Sequence, residues 1–192
     1  MLAWLKPNLI DKYPGKMTWA EVEQWVYGEG IPADAPLPDS PRFDAIDAER
    51  TAFLAGSLPA AKLGARDWNT QEWMYFLDGL PEAPRLADMQ ALDAAWKLTG
   101  TPNAEIGMRW YVHAIAAGDA SVDEAAAEHM VRIGRMYLTT PLYRAFARTP
   151  TGLAFAEKVY AKAKPGYHPL TQHAVERIFA KARQARAAAD KP

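Results

Sequence analysis

Apolar residues recur at helical spacing along almost the whole chain, and most runs are bounded by a start or stop signal. Trp19, Val22, Trp25 and Val26 share one face behind Thr18 and Glu21, which have capping-box spacing. Phe43, Ile46, Phe53 and Leu54 follow Pro41, a residue suited to a first helical turn. Trp73, Phe76, Leu77 and Leu80 stand behind Asn69 and Glu72, again spaced as a capping box. A run through Leu86, Met89, Leu92 and Trp96 is expected to stop at Gly100. Asn103 should cap Ile106, Trp110, Ala114 and Ala117, with Gly118 closing the helix. Ser121 and Glu124 predict one more capping box, ahead of Ala126, His129, Met130 and Ile133. Short helices should follow Pro141 and Pro150. The last stripe is Leu170, Ala174, Val175, Ile178, Phe179 and Ala182, after which residues 182–192 are expected to fray.

No segment keeps strand-like alternation, so the chain reads as all-α, with about eight to ten helices of roughly 10–16 residues. Short connections make successive helices antiparallel neighbours, either in a globular bundle or as stacked helix pairs. No internal repeat decides between the two. The stretch "GEGIPADAPLPDSP", residues 28–41, carries four prolines and two glycines and can be neither helix nor central strand. Residues 31–41 are therefore read as a linker.

Composition narrows the chemistry. At 192 residues the chain can bury a real core, and 49% hydrophobic with 23% charged residues is ordinary for a globular protein. A net charge of −1 supplies no field for nucleic acid or anionic lipid, so neither is expected as a partner. The absence of cysteine excludes disulfides, zinc ribbons and thiol catalysis, and fits a cytoplasmic protein. No apolar run approaches the roughly 20 residues of a membrane span. The opening "MLAWLKPNLIDKYPGK" lacks the apolar core of a secretion leader. Trp4 and Leu5, just before "KP", read as the last turn of a helix begun upstream.

None of the four histidines is followed by the Glu of an H-E-x-x-H zinc helix. His168 and His173 would stand about 140° apart around a helix, wrong for one metal, and His168 is more simply a cap beside Pro169. His113 and His129 lie on apolar stripes, where packing is the simpler role. No phosphate loop or G-x-S-x-G elbow is present. Lys181, Arg183, Arg186 and Lys191 read as a solvated helix face. The tryptophans mostly fall on stripes and are taken as core. In "MVRIGRMYLTTPLYRAF", residues 130–146, a helix stops at Gly134 and restarts at Thr140 and Pro141, with Arg135 between. Such a cation can satisfy the carbonyls and dipole of the helix just ended, or hold an anion; the residues alone leave both open.

Several pieces, in order and spacing, resemble the C-terminal helical domain of leukotriene A4 hydrolase and its aminopeptidase relatives. They are "WVYGEGIP", "NAEIGMRWYVHAI", "IGRMYLTTPLYRAF" and "YHPLTQHAVERIF", of which "GRM....PLY" is the most specific. The resemblance implies a gluzincin metallopeptidase whose zinc ligands, general-base Glu and amine-recognition motif lie in other domains. Residues 1–30 would then be the catalytic domain's last helices and 42–192 the C-terminal domain. Its implied fold is an armadillo/HEAT-like α-α superhelix, two-layered and right-handed, that walls the active-site cleft. No zinc site is expected here, and the fragment alone should be inactive; zinc would sit in the parent enzyme, with the catalytic domain and a peptide substrate as partners. Arg135 matches the family's corner Arg, which recognises a substrate carboxylate. Tyr137 stands where many members have Lys and Thr140 where Arg is common, so Tyr137 can donate a hydrogen bond to the substrate but adds no charge. That favours peptides over fatty-acid epoxides. The competing reading is a stand-alone helical-repeat module that binds another protein.

Overall fold

The computed structural model describes residues 1–33, 35 and 40–189. Five positions of the expected linker (34 and 36–39) and Lys191 lie outside them. All regular structure among the described residues is helical. The chain divides into two compact units, Met1–Ser40 and Pro41–Pro192.

The first unit holds α1 (Leu2–Leu5), which runs into a π turn over Lys6–Ile10, and α2 (Trp19–Tyr27). The predicted capping box is formed: the Glu21 N–H donates to Thr18 Oγ1 at 3.3 Å, and the Glu21 carboxylate accepts from the Thr18 N–H. Val22 is this unit's one buried residue among those described. Trp25 and Val26, expected on a buried face, are 51% and 46% exposed, and Trp4 is exposed as well. Two short helices offer no second layer to cover them.

The second unit contains α3 (Pro41–Leu54), α4 (Thr70–Asp78), α5 (Leu86–Trp96), α6 (Ala104–Ala116), α7 (Asp123–Arg132), α8 (Met136–Phe146), α9 (Pro150–Ala163) and α10 (Pro169–Ala189). α4, α6, α8 and α10 pack side by side in that order, while α7 packs on α9 in a second row. The core runs between the rows through Phe76, Leu77, Trp110, Met130, Leu142 and Val175, all fully buried. Two tryptophan indoles at the core find acceptors: Trp110 Nε1 donates to Thr99 Oγ1 at 3.0 Å and Trp96 Nε1 to the Ala60 carbonyl at 2.9 Å.

Several boundaries differ from the sequence reading. Asn69 and Asn103 cap as expected, and Asn103 Nδ2 also donates to Thr70 Oγ1 at 2.9 Å, tying the starts of α4 and α6 together. α5 ends at Trp96 instead of running to Gly100, because Lys97 takes a left-handed turn (φ 53°). Ser121 and Glu124 do not form a capping box. A 3-10 turn over Ala120–Val122 comes first, and Asp119 accepts from the Ser121 N–H at 3.1 Å. α8 starts at Met136, not at Pro141, which lies inside it. Burial of Leu138, Thr139 and Thr140 outweighs the lost hydrogen bond and Pro141's bias against helix before it. Leu170, expected in the last apolar stripe, is 68% exposed. The segment expected to fray is helical through Ala189.

Candidate functional site

The α7–α8 corner, residues 133–135, is held from behind. Tyr167 donates to the Met130 carbonyl at 2.5 Å and lies 3.1 Å from the Tyr143 hydroxyl, both rings buried. Thr171 Oγ1 donates to the Gly134 carbonyl at 3.3 Å. Gly134 is not needed for a left-handed turn, since its φ is not positive. Its role is close approach: a Cβ there would meet the Gly166 carbonyl oxygen at 3.3 Å.

Arg135 is the N-cap residue of α8, and its side chain makes no capping bond. It does not satisfy carbonyls of the helix before it. It stands at the positive end of the helix after it, where a cation is electrostatically disfavoured. Its side chain is 69% exposed, and its nearest acid is Glu105, with Nη1–Oε1 3.8 Å, an ion pair beyond hydrogen-bond length. Its guanidinium lies 5.5 Å from the centre of the Tyr137 ring. Tyr137, in the first turn of α8, is 48% exposed. The structure thus brings the two predicted site residues together on one surface.

Beneath them lies Arg109 of α6, only 9% exposed. Its Nε donates to both oxygens of Asp78 at the end of α4, at 2.8 and 2.9 Å. Its Nη1 donates to the Glu105 carbonyl and carboxylate, each at 3.1 Å, and its Nη2 donates to Tyr137 Oη at 3.1 Å. Burial works against the Arg109 cation, but Asp78, Tyr137 and Glu105 outweigh it and hold the guanidinium more firmly protonated than usual. Two cations and two carboxylates make the cluster formally neutral. Sequence reasoning missed Arg109, Glu105 and Asp78. The Glu105–Arg109 spacing of four on one helix was a usable signal; Asp78 enters only through the packing of α4 on α6.

The other candidates separate from this corner. His168 is a cap, as expected: its Nδ1 accepts from the Leu170 N–H at 3.2 Å. His129 is buried edge-on against Tyr111, and neither ring nitrogen has a partner among the described residues. Burial, with Arg132 nearby, pushes its pKa down to about 4. Burial also lowers His113. Thr140 is turned inward, its Oγ1 donating to the Met136 carbonyl at 2.9 Å. Among the described residues, no three His, Asp or Glu side chains gather as a metal donor set.

Comparison with known proteins decides the family. The profile described as "Leukotriene A4 hydrolase, C-terminal" matches residues 68–179, more than half of the chain. The chain belongs to this family. Leucine aminopeptidase 2 of Emericella nidulans is 30% identical over 171 residues, covering 83% of this chain and 26% of that protein. Leucine aminopeptidase 2 of Sclerotinia sclerotiorum is 28% identical over 81% of this chain and 26% of its own length. A leukotriene A-4 hydrolase homolog of Botryotinia fuckeliana is 27% identical over 81% of this chain and 24% of its own. The chain thus spans about a quarter of the relatives it matches. In structure it is similar to native yeast LTA4 hydrolase, with a TM-score of 0.70 at 19% identity over 88% of this chain and 31% of that one. That likeness carries the all-helical fold.

Proposed function

We propose that this chain is the C-terminal helical domain of a cytoplasmic, zinc-dependent aminopeptidase. In this reading residues 42–192 form an α-α superhelix that walls the substrate cleft, and residues 1–30 belong to the catalytic domain's last helices. The catalytic domain holds the zinc and is this domain's partner. Arg135, with Tyr137 beside it, binds the carboxylate end of a short peptide and so places the other end at the metal. The observation that carries this reading is the position of Arg135: exposed, without a hydrogen bond among the described residues, and at a helix end where its charge opposes the dipole. A guanidinium there offers a planar donor fork to a carboxylate. Thr140, standing where many relatives have Arg, is turned inward and adds no charge to the corner, which suits a peptide better than a fatty-acid epoxide.

Two measurements test it. With zinc present, this chain should not turn over an aminoacyl chromogenic substrate, whereas the polypeptide that joins it to a peptidase unit should; turnover by the chain alone overturns the assignment. In that joined enzyme, Arg135→Ala should lower kcat/KM for tripeptides about tenfold or more relative to their C-terminal amides. An unchanged ratio removes Arg135 as the carboxylate anchor. The interaction-module reading gains if the gene's upstream frame encodes no H-E-x-x-H motif.

A further inference from the structure

We propose that Arg109 is a positioning residue that turns Tyr137 into the second hydrogen-bond donor for the carboxylate held by Arg135. The proposal rests on the carboxylate reading of the corner and adds how that corner recognises its ligand without a second cation.

The argument starts from donor and acceptor counts. Arginine has donors only, so at the Arg109–Tyr137 contact of 3.1 Å the phenol oxygen must accept. This is the only hydrogen bond of the Tyr137 hydroxyl among the described residues. Its single proton is therefore left to point away from Arg109, in a residue that is half exposed. A phenol that accepts from a cation becomes a stronger donor, because each bond in a chain polarises the next. Arg109 cannot swing away to release Tyr137, since its Nε and Nη1 are committed to Asp78 and Glu105. The Arg135 guanidinium lies 5.5 Å from the centre of the same ring, so both donors belong to one surface.

The cluster's neutrality gives the pair a specific chemistry. Arg109 and Arg135 are balanced by Asp78 and Glu105, so directional hydrogen bonds, more than net charge, would select the ligand. The matching class is a planar, exposed carboxylate at a peptide's end. Glu105 links the two arginines, with Oε2 on Arg109 and Oε1 facing Arg135, and so keeps the Arg135 fork near the phenol.

The test uses the full 192-residue chain and two probes, N-acetyl-trialanine and its C-terminal amide. Binding is followed by NMR through the arginine Nε–H signals and the amides of residues 135–138. The acid should shift these signals and the amide should not. Tyr137→Phe keeps the ring and should weaken acid binding roughly three- to tenfold while the chain stays folded, with a modest fall in melting temperature because Arg109 Nη2 loses its acceptor. Arg109→Gln should weaken it similarly, and Arg109→Lys, which can still donate to the phenol, should recover part of the loss. Because Arg109 is buried and its removal can unfold the corner, Tyr137→Phe is the deciding variant. If Arg135→Ala abolishes acid binding while Tyr137→Phe binds like the parent, the Arg109–Tyr137 inference fails and the Arg135 reading stands. If Tyr137→Phe weakens binding but a folded Arg109→Gln does not, the positioning role alone is overturned. If the parent chain does not distinguish acid from amide, both readings fall.

Discussion

At the residue scale, His129 shows what burial does to an ionisable group that has lost water and gained no partner. Its folded pKa of about 4 lies below the ordinary value of 6.5, so burial favours the neutral ring. The sign follows: the contribution to stability is complete above about pH 6.5, where the ring is neutral in both states. It is lost as pH falls through 4, because the unfolded chain binds the proton first. The size is on the order of 3 kcal/mol. His129→Leu should therefore flatten the fall in melting temperature between pH 7 and pH 4; an unchanged slope would assign the acid sensitivity elsewhere. The sequence placed His129 on an apolar stripe, and that much was legible. That neither nitrogen finds a partner among the described residues was not, nor was the close approach of Gly107, where a Cβ would meet His129 Nδ1 at 3.2 Å. Arg135 was legible as a cation at a break. Its freedom from the preceding helix was not, since a chain pattern does not say which carbonyls a side chain reaches.

At the element scale, caps were the most readable feature and proline the most misleading. Asn69, Asn103 and Thr18 each cap the predicted helix, because a side-chain oxygen at the N-cap acts within three residues and needs no tertiary context. Asn103→Ala should cost about 1 kcal/mol or somewhat more, since its amide also bridges to Thr70; denaturant unfolding measures it. Pro141 failed as a start signal because the turn before it is tied down by burial and by Thr139 and Thr140, whose hydroxyls donate to the Arg135 and Met136 carbonyls. Tyr143, Tyr167 and Met130 were not foreseen as a chain, as they come from three separate segments. Tyr167→Phe would leave the buried Tyr143 hydroxyl and the Met130 carbonyl without their partner. It should cost about 1–3 kcal/mol. A loss below about half a kilocalorie would mean that water replaces the missing hydroxyl.

At the scale of the whole molecule, the all-helical architecture followed from period alone, but the row order did not. Period tells which face of a helix is buried and not which neighbour buries it; that α6 lies between α4 and α8 is a fact of packing. The second unit holds nearly the whole core, so residues 41–192 should unfold cooperatively without the first forty; a broad, probe-dependent melt would contradict this. The tie from Tyr167 and Thr171 back to residues 130 and 134 has a genetic consequence. A nonsense allele that stops translation just before the codon for Tyr167 would encode every residue of the Arg109–Arg135–Tyr137 cluster and still leave its corner unanchored. Such an allele should behave as a loss of recognition, although no residue that touches the ligand has changed.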